Sequence, residues 1–258
     1  MNNHILNILR ILRQIPEHLI GAHIYGYPSQ IIQIIPEKKL KEAWFSYQST
    51  LKLIFNEYKV DLILDIGANL GQSVNIIRRL YKGPIISFEP VASSFAALRN
   101  ITPNDKNWFK FNYALGNKSG EQYINIYETS KMNSFLKRKE ETTGRFSAKA
   151  SHPVKELVQI RRLDDIVDEM PFNLRSRKIF LKTDTQGYDL EVFKGARTIW
   201  DNIVVIQAEV YHTDVYDKVL PWTENIKEYT KAGFKLAGLY PAVRDGLYYE
   251  ESDCLMVR

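Results

Sequence analysis

Four acids stand at the ends of apolar runs, and their placement is where this sequence can do chemistry: Asp65, Glu89, Asp184 and Glu209. The first opens a glycine turn, Asp65-Ile66-Gly67-Ala68-Asn69-Leu70-Gly71-Gln72, and the second closes the next apolar run 24 positions later. A carboxylate at that second place suits the two hydroxyls of a ribose. In an open α/β sheet a ligand lies beyond the carboxyl ends of the strands, which is where all four acids fall.

A dinucleotide fingerprint needs G-x-G-x-x-G so that a pyrophosphate can reach a helix end. Here Asn69 stands between Gly67 and Gly71, no third glycine is in register, and Asp65 would repel a pyrophosphate. The same acid can accept hydrogen bonds from an amino-acid ammonium, directly or through water. S-adenosylmethionine has an ammonium, a ribose and no phosphate, so it fits this turn better than a dinucleotide.

Strands and helices must alternate to position these residues. Val60 to Leu64 reads as a buried strand, with a helix after the turn through Ser73, Ile76, Ile77 and Leu80. Further strands are expected at Ile85 to Glu89, Trp108 to Leu115, Glu121 to Tyr127, Leu157 to Arg162, Lys178 to Asp184 and Ile203 to Glu209. Helices are expected at Ala92 to Asn100, Leu163 to Val167, Asp189 to Trp200 and Trp222 to Ala232. Phe234 to Leu239 and Asp253 to Val257 would form a final antiparallel pair. Ahead of this body, residues 4 to 20 carry apolar residues at helical spacing, and residues 21 to 36 read as a connector with short extended pieces. A second helix is expected from Glu37 to Tyr58. The division is residues 1–59 as a helical extension and 60–258 as the principal domain.

The 258 residues suffice for one large α/β domain, with 45% hydrophobic and 25% charged residues. The single cysteine, Cys254, excludes an internal disulfide framework and fits a reducing cytoplasm. Neither a CxxC pair nor an HExxH sequence occurs, and no metal site is read. The net charge of +5 is concentrated between Lys131 and Arg162, where nine basic residues face three acids. A charge run of this kind is usually a solvated face; its alternative use is to meet an anionic acceptor through residues such as Arg138 and Arg145. The first helix would pack on the protein body, on a second copy in a homodimer, or on the inner face of a membrane.

Read in order, the pieces resemble one family, the FkbM-type S-adenosylmethionine-dependent methyltransferases. They are Leu64-Asp65-Ile66-Gly67-Ala68-Asn69-Leu70-Gly71, Phe88-Glu89-Pro90, Ala114-Leu115-Gly116, Arg162-Leu163-Asp164-Asp165-Ile166, Leu181-Lys182-Thr183-Asp184-Thr185-Gln186-Gly187 and Glu191-Val192-Phe193-Lys194-Gly195-Ala196. The resemblance implies a Rossmann-like seven-stranded methyltransferase sheet, mostly parallel with an antiparallel C-terminal hairpin. It also implies methyl transfer, commonly to oxygen on sugars or other natural-product scaffolds. Carried over, Asp65, Gly67, Asn69, Gly71 and Gln72 line the methionine side of the cofactor, Glu89 holds the ribose, and Asn112, Ala114 and Leu115 enclose the adenine. Relatives often read Asp-x-Glu-Gly where this chain has Asp184-Thr185-Gln186-Gly187, and Gln186 cannot serve as a base.

Transfer to oxygen needs an acceptor hydroxyl held in line and a group to take its proton. Asp184 is the first candidate and a cofactor contact as well; His212 is the second and Glu209 the third. Asn133 and Ser134, just ahead of the basic stretch, border the expected acceptor site, and Tyr211 could stack on a sugar ring. The acceptor is a small molecule or glycan; without a Pro-Pro-aromatic motif for a flipped base, no nucleic acid is expected. The competing readings are an NAD-dependent oxidoreductase and a non-catalytic module that keeps the cofactor fold.

Overall fold

The computed structural model describes residues 22–25, 33–139, 153–245 and 247–258. The expected helix at residues 4 to 20 and Arg145 lie outside the described residues. The chain divides into two compact units, Met1–Leu53 and Ile54–Arg258. In the first, β1 (Ala22–Tyr25) and β2 (Gln33–Pro36) pair antiparallel, so the connector carries a short hairpin. Helix α1 follows from Glu37 to Glu57.

The second unit is built on a seven-stranded sheet. Its strands are β3 (Leu62–Ile66), β4 (Ile85–Phe88), β5 (Trp108–Phe111), β9 (Ile179–Thr183), β10 (Ile203–Tyr211), β11 (Lys235–Asp245) and β12 (Tyr248–Val257). They lie in the order β11-β12-β10-β9-β3-β4-β5. The five from β10 to β5 are parallel, and β12 runs antiparallel between β10 and β11. Every residue of β3, β4 and β9 is buried, as a parallel strand covered on both faces requires. Helices α2 (Gln72–Leu80), α3 (Ala92–Asn100), α4 (Leu163–Ile166), α5 (Asp189–Lys194) and α6 (Trp222–Lys231) complete the unit. One apolar core, including Leu64, Phe88, Leu181, Phe193 and Ile206, joins sheet and helices. No helix of the described residues is long and apolar enough to cross a membrane.

Three expectations are corrected. The strand expected from Trp108 to Leu115 is two strands in different sheets. Pro90 has no N–H to extend the ladder beyond Phe88, and Glu89 N donates the last bond to Phe111 O at 3.0 Å. The chain then turns away, and β6 (Ala114–Leu115) joins β7 (Gly120–Ile126) and β8 (Val154–Arg161) in a separate sheet of order β6-β8-β7. The helix expected from Asp189 to Trp200 stops at Lys194. Gly195 packs so closely on Gly116 that a Cβ there would sit 1.9 Å from its carbonyl oxygen, and a 3₁₀ turn (Arg197–Asn202) follows. The terminal hairpin is longer than expected, its two strands running 11 and 10 residues.

Candidate active site

The glycine turn leaves β3 at its carboxyl end with Gly67 and Asn69 in the left-handed region, φ 79° and 48°. Asparagine tolerates that conformation better than most side chains. Gly67 lies against the end of β9: a Cβ there would sit 2.1 Å from the Asp184 carbonyl oxygen. All the N–H groups from Gly67 to Gly71 are engaged within the protein. Gly67 N and Ala68 N donate to Phe88 O, both at 3.0 Å, and Gly71 N to Ala68 O at 2.8 Å. Asn69 N donates to Glu89 Oε2 at 2.8 Å, and Leu70 N to Gln72 Oε1 at 3.2 Å. Asn69 Oδ1 is buried without a hydrogen-bond partner.

Glu89 follows β4 and is 5% exposed. Its second oxygen accepts from Val91 N at 2.9 Å. Burial pushes its carboxyl up to about 7, with Asp65 and Asp184 adding to the rise against the two backbone donors. Asn112 Nδ2 donates to Glu89 O at 2.9 Å and Pro90 O at 3.0 Å, which fixes the chain beside that acid. Ala114 and Leu115 are buried in β6.

Asp65 points into the protein. It is wholly buried and lies in register with Ser87 on one side and Lys182 on the other. Ser87 Oγ donates to Asp65 Oδ2 at 2.8 Å, and Trp108 Nε1 donates to Ser87 Oγ at 2.8 Å. Lys182 Nζ lies 3.4 Å from Asp65 Oδ1, an ionic contact outside hydrogen-bond geometry, and donates to Asp184 Oδ2 at 3.2 Å. Burial alone would lower the lysine, but Asp184, Asp65 and Asp253 outweigh it and hold it well above its ordinary range. A polar row thus runs across β5, β4, β3 and β9 behind the turn.

Asp184 stands at the end of that row with its side chain 38% exposed. Its Oδ1 accepts from Gln186 Nε2 at 3.2 Å, and Gln186 Nε2 also donates to Glu209 Oε2 at 2.5 Å. The Tyr211 hydroxyl donates to the same Glu209 oxygen. Burial raises the Glu209 carboxyl well above the ordinary range, and the neighbouring Glu251 raises it further.

Strand alternation separates His212 from this cluster. Glu209 and Tyr211 share one face of β10, whereas His212, the first residue past that strand, contacts Ser252, the partner of Val210 on the opposite face; its Nε2 lies 2.8 Å from Ser252 Oγ and its ring is tilted against Trp222 at 5.2 Å. Burial lowers its proton affinity. Tyr211 is 2% exposed, its ring edge-on to Tyr216, so it presents no open face for a sugar.

The residues expected to border the acceptor are mostly structural. Asn133 Oδ1 accepts from Tyr127 N at 3.0 Å, and the buried Ser134 Oγ donates to Gln186 O at 2.7 Å. Arg138 is 5% exposed, its N–H donates to the Tyr127 hydroxyl at 2.9 Å, and it forms a bridge with Tyr216. Lys139 pairs with Asp214 at 3.0 Å. At residues 137–139 the basic stretch is therefore docked on the loop after β10, not a freely solvated face.

Lys182, Gln186 and Tyr216 are parts of the site that the sequence reading did not assign. Lys182 had a signal: a charge inside an apolar strand, two positions before Asp184 and so on the same face. Tyr216 had none, because only the fold brings it to Gln186. Among the described residues no group of three or more His, Cys, Asp or Glu is arranged to hold a metal ion.

No curated protein matches the chain. Solved structures similar to it include fibrillarin of Aeropyrum pernix in complex with natively bound S-adenosyl-L-methionine, 11% identical, covering 92% of this chain and 83% of that one at a TM-score of 0.45. Precorrin-6y C5,15-methyltransferase of Geobacter metallireducens is 11% identical, covering 77% and 80% at 0.41. Magnesium protoporphyrin IX methyltransferase of Synechocystis, with bound SAM, is 8% identical, covering 86% and 82% at 0.42. The profile of the methyltransferase FkbM domain matches residues 65–236, and the chain belongs to that family.

Proposed function

We propose that this S-adenosylmethionine-dependent methyltransferase acts on a hydroxyl oxygen of a sugar, glycan or related natural-product intermediate. The observation that carries the cofactor side is the closed glycine turn. With every N–H from Gly67 to Gly71 engaged internally, the turn offers no free donors to a pyrophosphate, while Glu89 and the unpartnered Asn69 Oδ1 offer acceptors. Glu89 would take the ribose hydroxyls, and Asn69 would face the aminoacyl end. When bound, the cofactor supplies an electrophilic methyl group on a positively charged sulfur.

Asp184 is the group of this chain that takes the acceptor proton. It is part-exposed at the edge where the glycine turn and β9 meet, and Lys182 and Gln186 fix both of its oxygens. Each oxygen keeps a lone pair for an acceptor O–H. Glu209 has one oxygen already taken by both Gln186 and Tyr211, and His212 contacts Ser252 instead of this cluster. Asp65 supports the site from behind through Lys182. A cytoplasmic location is part of this proposal, with the N-terminal segment as the candidate contact with a membrane surface or a second copy.

The test is a screen of nucleotide sugars and lipid-linked sugars with methyl-labelled S-adenosylmethionine. Label gained by an acceptor hydroxyl together with S-adenosylhomocysteine supports the reading. Calorimetric binding of NAD without binding of S-adenosylmethionine overturns it.

A further inference from the structure

Gln186 is where four segments meet. Its amide nitrogen donates to Asp184, just past β9, and to Glu209 on β10, and its Oε1 accepts from the Tyr216 hydroxyl at 2.8 Å in the loop after β10. Its backbone oxygen accepts from Ser134, on the segment between β7 and β8. The residue is 8% exposed, and its backbone is left-handed at φ 52°, uncommon for a side chain other than glycine, asparagine or aspartate. Reversing the amide would set its oxygen against two carboxyl groups, so the chemistry of the partners fixes its orientation.

We propose that Gln186 is a positioning residue for Asp184: a neutral double donor that aims the carboxylate at the acceptor and separates it from the Glu209 carboxyl. The proposal rests on the reading of Asp184 as base. A glutamate could not replace it, because its ionised form has no donor and its protonated form has one. The ionisable groups that interact with Asp184 among the described residues are Lys182 two positions before it, Glu89 after β4, Glu209 from β10, Asp253 from β12 and Asp189 from α5. Lys182 is the one cation among these five, so each neutral donor to the Asp184 carboxylate carries weight.

The experiment is carboxyl ¹³C NMR on the full chain, with the Asp184 resonance assigned by its loss in Asp184→Asn. Gln186→Met keeps the side-chain length and removes both N–H donors; Gln186→Glu places another acid between Asp184 and Glu209. The pH midpoint of the Asp184 resonance should rise by about one unit or more in Gln186→Glu and by less in Gln186→Met. An Asp184 resonance that titrates in Gln186→Met as in the unsubstituted protein would overturn the proposal. If Gln186→Met does not fold, the same comparison with Gln186→Glu decides. Failure of the unsubstituted protein to bind S-adenosylmethionine would refute the cofactor reading alone, since the Asp184 comparison is then made without cofactor.

Discussion

The Lys182 ammonium lies 3.4 Å from Asp65 Oδ1, with both side chains sealed from solvent. This contact joins the strand that feeds the glycine turn to the strand that carries Asp184, and it gives Asp65 a task different from touching the cofactor. Asp65→Ala would leave the buried lysine with Asp184 as its nearest counter-charge. The expected cost is about 3 kcal/mol of folding stability, at the lower end for breaking a buried pair because Asp184 stays in place. Urea unfolding checks this; a variant as stable as the parent would show that the pair does not hold the two strands.

Glu89 should make cofactor binding depend on pH. A carboxyl raised to about 7 by burial is protonated in the folded protein at pH 6, and a protonated acid is a poorer acceptor for ribose hydroxyls. Affinity for S-adenosylmethionine should therefore fall as pH drops below about 7, by up to about tenfold per unit. The folding term has the opposite sign. The folded carboxyl titrates above its unfolded value, so its contribution is fully present below about 4.5 and is lost as pH rises through about 7. Calorimetry from pH 5.5 to 8 checks the binding limb, and Glu89→Gln should flatten it.

Gly67→Ala should damage both fold and site. The left-handed backbone alone makes a side chain there cost about 1 to 3 kcal/mol, and the new Cβ would also displace the Asp184 carbonyl. A thermal melt and an S-adenosylmethionine titration of the same preparation measure the two losses. An unaffected melting temperature would mean that the close approach of turn and β9 is not real.

Asp184→Asn and His212→Ala should part company in the labelled-methyl assay. Removing the proposed base should lower turnover by about 10² to 10⁴, while removing a histidine that contacts Ser252 just past β10 should change it little. Equal losses would place His212 in the chemistry and contradict the geometry of the strand.

Much of this architecture could be read from the chain because it is local. The glycine turn, the acids that end β3, β4 and β9, and the alternation of strands and helices all lie within short stretches whose periodicity speaks for itself. The polar row from Trp108 through Ser87 and Asp65 to Lys182 was not legible, since it exists only once the register of four strands is set. In the sequence alone Gln186 is a position lacking an acid. Its use as a donor appears only when Glu209 and Tyr216 are brought beside it.

The central claim is that the closed turn and Glu89 form a cradle for S-adenosylmethionine, and calorimetric titration of the full chain at pH 8 tests it most directly. Saturable binding at a single site is expected with S-adenosylmethionine, and no heat of binding with NAD. Binding of NAD with none of S-adenosylmethionine would contradict it.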